Sequence, residues 1–177
     1  MIQNSLAALG FSLLLYSDFL WVKGRKGAPA LRRAGYLLVF GGIGLWAFST
    51  PSAVDLGSLP GIAFIAVAAA SSALLLWSVF FEIGIERKKR GLGAADVIQS
   101  GSYDLCRHPG FWWFAFLISD LGLLKGFFDH FLTVLIMIGL DLLLIIVQDS
   151  YTFPKVFKGY NDYKKRVPFL IPRFWKA

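Results

Sequence analysis

A chain of 177 residues that is 56% hydrophobic, with 17 Phe and 6 Trp, is too apolar for a soluble domain. Charged residues make up 16% of it, against about a quarter in ordinary globular proteins. The net charge of +7 would suit nucleic acid, but long apolar runs part the basic residues, so the excess reads as a positive-inside bias plus contact with anionic lipid headgroups. One domain of an integral membrane protein is the expectation, and the single cysteine, Cys106, permits no internal disulfide.

The first apolar run, Ile2 to Val22, has no Lys or Arg ahead of it and no small-residue cleavage site, so it reads as a retained span and not a signal peptide. A basic connection follows with Lys23, Arg25, Lys26, Arg32 and Arg33. The second span is expected over Ala34 to Thr50, and the connection after it holds only Asp55. The third, Leu59 to Phe81, leads into a polar stretch with Arg87, Lys88, Lys89, Arg90 and Arg107. The fourth, Gly110 to Leu124, is short and ends at Lys125-Gly126; with the fifth, His130 to Gln148, it predicts a tight helical hairpin. The tail carries Lys155, Lys158, Lys164, Lys165, Arg166, Arg173 and Lys176.

Every Lys and Arg except Lys125 then falls on one side of the membrane. The expected fold is all-α and polytopic, a multi-pass protein of about five transmembrane helices with the N-terminus outside and the C-terminus in the cytoplasm, set in a prokaryotic cell membrane. Residues 1–58 make two N-terminal spans and 59–177 a core carrying the polar segments. Pro154 should stop or kink the fifth helix. Beyond it Val156, Phe157, Tyr160, Tyr163 and Val167 recur at helical spacing between lysines, which predicts an interfacial amphipathic helix.

Two polar clusters share the cytoplasmic face: the run 101–111, with Tyr103, Arg107, His108 and Pro109, and the pair Gln148-Asp149 with Tyr160 and Tyr163. Pro109 is placed to start the fourth helix. The free N–H groups there favour an anion, and Arg107 adds a planar fork of donors suited to a carboxylate or phosphate. The plainer reading is an arginine on a lipid headgroup beside an interfacial histidine. Asp149 can accept hydrogen bonds from ribose hydroxyls or an ammonium group. Among the other acids, Asp18 and Glu82 sit near cytoplasmic span ends and are expected to reach water. Asp120 and Asp141 lie deeper and are expected to hydrogen-bond across the hairpin, a structural role, or to serve function. Phe111-Trp112-Trp113-Phe114 reads as an interfacial aromatic belt, or as a wall for a cation or lipid tail. No Cys/His metal spacing, Ser-His-Asp set or phosphate loop is present in the sequence.

Gly101-x-Tyr103-x-x-x-Arg107-His108-Pro109, then a hairpin, a polar pair and Tyr160-x-x-Tyr163-x-x-x-Val167-Pro168-x-x-x-Pro172, resembles the isoprenylcysteine carboxyl methyltransferase and phospholipid methyltransferase superfamily. The similarity covers about residues 80 to 177; the first two spans carry no motif. It implies transmembrane helices whose C-terminal half binds S-adenosylmethionine from the cytoplasm, and a lipid-like or small hydrophobic acceptor arriving from the bilayer, with membrane lipids as partners and no nucleic acid or metal. By motif position Tyr103, Arg107, His108 and Pro109 match the first cofactor element, Gln148 and Asp149 the family's paired glutamates, and Tyr160, Tyr163 and Val167-Pro168 the closing segment. The chain departs from the pattern at Phe111, where the family has tyrosine, at Gln148, where it has the first glutamate, and at Phe157, where it has glycine.

The donor implied by this resemblance carries a carboxylate, an amine and a sulfonium. Arg107 with the helix N-terminus suits the carboxylate, Asp149 the amine or ribose, and aromatic faces the sulfonium, so Arg107 and Asp149 are the pair expected nearest the chemistry. Methyl transfer is a displacement in which alignment supplies most of the catalysis. Two other functions remain open to the same residues: a membrane sterol or steroid reductase using NADPH, and a non-catalytic lipid-binding protein.

Overall fold

The structure is a computed structural model in which residues 2–173 are described; Lys176 of the basic tail lies outside them. The first two helices, α1 (Ile2–Val22) and α2 (Ala28–Ser49), turn on Gly24 at φ +66° and pack along their length. Small residues bring the two backbones together. A Cβ on Gly35 would stand 2.9 Å from the Gly10 carbonyl oxygen and 2.8 Å from Leu14 Cγ. The helix begins at Ala28, ahead of the expected Ala34, because Pro29 sits in its first turn, where a missing N–H costs nothing. Arg32 and Arg33 are therefore inside the helix and not in the loop.

The third helix, α3 (Leu59–Leu76), starts at Ser58, whose hydroxyl accepts the Gly61 N–H at 3.2 Å. It passes through a π-helical segment, Trp77–Glu82, into α4 (Ile83–Lys89). A short helix, α5 (Ser102–Leu105), precedes α6 (Pro109–Leu124), which starts at the expected proline. Lys125-Gly126 joins α6 to α7 (Phe127–Val147), the tight hairpin that the sequence predicts. A second π-helical segment, Gln148–Thr152, carries the chain into α8 (Phe153–Val156), so Pro154 does not end the helix but sits in the first turn of its last piece. Tail helix α9 spans only Tyr160–Arg166. The longer amphipathic helix expected from Val156 is broken, since Phe157 is extended and Gly159 takes φ +73°.

The helices pack in the order α2, α1, α7, α6, α3. Phe11, Leu14, Val39, Ile43, Trp46, Leu75, Phe114, Ile118 and Met137 form the buried core between them. The side chains of Leu37, Phe48, Leu59, Phe128 and Leu132 point outward and exposed, as a lipid-facing surface requires. Among the described residues, three helices are long and apolar enough to cross a membrane: Ile2–Val22, Leu59–Lys89 and Phe127–Val156. The apolar α6 has 16 residues, roughly 24 Å of helix. Lys125, in the turn between α6 and α7, has a local task. Its ammonium donates to the Thr50 carbonyl oxygen at 2.6 Å, and the Ala53 N–H donates to Leu124 O at 2.9 Å, tying the α2–α3 loop to the hairpin tip.

The α1–α2 contact gives a direct stability test. Gly35→Val should destabilise the protein by about 1–3 kcal/mol through overpacking against backbone, read as a lower thermal midpoint in detergent. Gly41→Ala, whose Cβ meets nothing within 4 Å, should leave the midpoint unchanged or raise it. Equal midpoints for the two variants would contradict the close approach.

Candidate functional site

Two segments irregular by helical standards build the site. In the first π-helical segment, Ser78 O accepts the Tyr103 hydroxyl at 2.9 Å, and the Glu82 carboxylate takes the Ser102 N–H at 2.6 Å and its hydroxyl at 2.5 Å. Glu82 is thus buried against α5, and does not reach water as the sequence suggested. Gly101 is required here. Its φ is +64°, and a Cβ would fall 2.0 Å from Glu82 Oε1. The loop so held presents Arg107 and His108 ahead of Pro109.

The second π-helical segment turns adjacent residues toward different partners. Gln148 donates from Nε2 to Asp18 Oδ2 on α1 at 2.9 Å, while Asp149 faces the tail. Arg107 meets Asp149 side-on, Nε to Oδ1 at 2.7 Å and Nη2 to Oδ2 at 3.2 Å. Its Nη1 donates to the carbonyls of Lys164 at 3.0 Å and Val167 at 2.6 Å. A guanidinium has five N–H donors, and this leaves one on Nη2. Asp149 also accepts the Tyr160 hydroxyl at 2.8 Å and carries Lys164 Nζ at 2.8 Å. Two cations on one carboxylate leave the cluster positive. The Tyr163 hydroxyl donates to Tyr103 O at 2.6 Å, so the tail is pinned at Asp149, at Arg107 and at α5.

His108 is buried, with its ring parallel to Phe153 at 5.9 Å and edge-on to Phe169 at 5.1 Å. Its Nε2 lies 3.6 Å from Asp149 Oδ1, beyond hydrogen-bond length. Burial holds its pKa below the usual histidine range, so the ring is neutral at physiological pH. Burial also pushes the Tyr160 and Tyr163 hydroxyls up, with the bond to Asp149 adding to the rise at Tyr160; both remain donors. The Cys106 thiol is raised by burial as well, which makes it unreactive.

A cavity of about 680 Å³ opens beside this cluster and runs into the bundle. All the site residues read from the sequence except Asp149 line it: Tyr103, Arg107, His108, Pro109, Gln148, Tyr160 and Tyr163. Asp149 stands behind Arg107 and shapes the wall without forming it. Phe111 is a buried part of the lining, with Phe114, and so is not part of an interfacial belt. The inner wall is apolar, with Phe11, Leu14, Val39, Leu75 and Leu144.

Sequence reasoning singled out Asp18 but expected it to reach water, and placed Arg32 in the first connection, away from any site. Asp18 is buried and accepts from Arg32 Nη2 at 2.8 Å as well as from Gln148, so it does not reach water. Both line the cavity from spans that carry no motif. An acid inside an apolar run was the only signal. The contact also explains Gln148: a glutamate in its place would face Asp18 as a second carboxylate. The expected bonding of Asp120 and Asp141 across the hairpin is not formed. Asp120 Oδ2 is buried without a partner among the described residues, and Asp141 lines the central cavity instead. Comparison with models of known protein families, with curated proteins and with solved structures finds no match.

Gln148→Glu should lower stability by about 1–3 kcal/mol, the scale of a buried polar group losing its partner. Adding Asp18→Asn should return most of the loss, since the carboxylate and amide then exchange places. Thermal unfolding in detergent reads both. A double variant as unstable as the sum of its singles would contradict the contact.

Proposed function

We propose that the protein is an S-adenosylmethionine-dependent membrane methyltransferase acting on a lipid-like or small hydrophobic acceptor. The observation that carries this reading is the single cavity whose mouth is built by the Arg-His-Pro element and the tail tyrosines and whose interior is apolar. One chamber therefore joins a place for a polar, charged cofactor to a place for a hydrophobic partner, and its volume lies within the range of small-molecule sites. Five membrane-crossing helices complete the reading, α1, α2, α3, α6 and α7, with the N-terminus outside and the cluster and tail in the cytoplasm. The basic residues of the α1–α2 turn, of α4 and of the tail support that orientation.

The residues present fit the cofactor. The net positive cluster of Arg107, Lys164 and Asp149 suits its carboxylate, and the remaining Nη2 donor of Arg107 is available for a hydrogen bond. Aromatic faces at Tyr103, Phe111 and Phe114 suit a sulfonium. When bound, S-adenosylmethionine supplies an electrophilic methyl group. The chain binds, orients and excludes water around that group. Asp149 acts as a positioning residue, holding the Arg107 plane and the Tyr160 ring. Neutral His108 closes the wall behind them without adding charge. Alignment of the two reactants in one enclosed chamber is the source of the rate.

Calorimetry on the purified protein in nanodiscs tests the reading. S-adenosylmethionine should bind with a dissociation constant in the micromolar range, worth about 8 kcal/mol, and Arg107→Ala should weaken it about tenfold or more. Labelled methyl should then appear in a membrane-extracted product. No binding at about 1 mM cofactor, or binding of NADPH in its place, would overturn the proposal.

A further inference from the structure

Two carboxylates that line the cavity have no task in the account above: Asp96, whose Oδ2 accepts the Gly93 N–H at 2.7 Å in the loop after α4, and Asp141. Asp141 lies on α7, seven residues before Gln148, hence two helical turns or about 10 Å deeper in the bundle. Residues 141, 144, 145 and 148 share one face of α7, and all four line the cavity. Gln148 is committed to Asp18, and Leu144 and Ile145 are apolar. Asp141 makes no hydrogen bond or ion pair with any described residue. None of the other cations lining the cavity pairs with it: Arg32 is held by Asp18, Arg107 by Asp149, Arg87 donates through Nη2 to the Asp96 carbonyl oxygen at 3.3 Å, and Arg33 is exposed. Tyr36, which also lines the cavity, lies within electrostatic reach of Asp141, Asp18 and Arg32. The cavity therefore contains, beyond its positive mouth, an apolar chamber with one uncommitted acid.

An acid placed so is costly unless something pairs with it. The same acid penalises a ligand of its own sign, because two carboxylates in an apolar chamber repel with little screening. A hydrogen-bond donor carrying positive charge has the opposite effect. We propose that Asp141 selects the hydrophobic acceptor by its head, accepting a hydrogen bond from a protonated amine and rejecting a carboxylate; the bound ammonium passes one proton to the Asp141 carboxylate, which frees the nitrogen lone pair for methyl transfer. This deepens the methyltransferase reading and rests on it for the word acceptor. Recognition works by attraction and exclusion together. The apolar walls at Phe11, Leu14, Val39, Leu75 and Phe114 take the chain of any such molecule, and Asp141 sets which head group can follow. Asp141 is a specificity-determining residue in this scheme.

The experiment uses three probes with the same alkyl chain: dodecylamine, dodecanol and dodecanoate. Each is added to the full-length protein in detergent, and bound adducts are counted by native mass spectrometry at a series of concentrations. Dodecylamine should bind saturably and at least about tenfold more tightly than dodecanoate. Asp141→Asn should reduce dodecylamine binding about tenfold and abolish the preference over dodecanoate. Asp120→Asn is the control, because Asp120 is a buried acid of α6 outside the cavity lining and should change neither. Retained S-adenosylmethionine binding by Asp141→Asn shows that this variant is folded. Equal binding of amine and carboxylate by the unaltered protein would overturn the proposal without reference to any variant, as would an Asp141→Asn protein that binds dodecylamine like the parent. Amine selectivity that depends on Asp141 in a protein that does not bind S-adenosylmethionine would support the amine site while sinking the methyltransferase reading.

Discussion

Arg107 and Asp149 meet side-on at the end of the bundle that carries α5 and the tail, and the polar segments there are arranged around that pair. Arg107 comes from the loop before α6, Asp149 from the irregular end of α7, and the carbonyls of Lys164 and Val167 from the tail. A guanidinium is the side chain that can join three separate segments in one plane. Without it the tail would keep Lys164, Tyr160, Tyr163 and the Trp112 indole N–H on Leu170 O among its attachments, but the segment 164–167 would lose the group that ties its carbonyls to Asp149. The pair is nearly buried and surrounded by polar contacts, which offset the cost of removing both charges from water.

The two π-helical segments make this possible. A regular α-helix would carry Gln148 and Asp149 round by a fixed angle. The wider turn lets one reach across to Asp18 on α1 while the other faces Arg107. On α3 the corresponding segment holds α5 through Ser78 O and Glu82. Such insertions recur where function needs a side chain off the helical register. Charge is then graded along the cavity: a positive mouth, a neutral histidine, a paired Asp18 and Arg32, and an unpaired acid in the apolar interior.

Much of the scaffold is legible in the sequence because burial in lipid leaves long apolar runs, and Pro109 and Lys125-Gly126 punctuate them. The start of α2 is not, since Arg32 and Arg33 look like loop residues until Pro29 is seen to open the helix. The tail misleads for a different reason. Val156, Phe157, Tyr160 and Tyr163 do recur at helical spacing, but Gly159 and an extended Phe157 divide them, and Phe157 and Tyr160 pack on Phe153 from either side of the break. The motif residues around Arg107 could be singled out by type and position. Their partners could not, because Asp18–Gln148 and Arg107–Val167 link residues far apart in the chain, and nothing local encodes them. Asp149 shows the limit most clearly: its residue type suggests contact with a ligand, whereas its neighbours use all its acceptor capacity.

The central claim is that the Arg107–Asp149 pair holds the tail against the bundle and so shapes the site. The most direct measurement is a double-mutant cycle of Arg107→Met and Asp149→Asn, with the free energy of tail opening read from amide exchange over residues 160–167 in nanodiscs. The account predicts that each single change opens the tail, that the double change is little worse than either, and that the coupling energy is about 1.5–3 kcal/mol. Additive effects, with coupling within about 0.5 kcal/mol of zero, would contradict it.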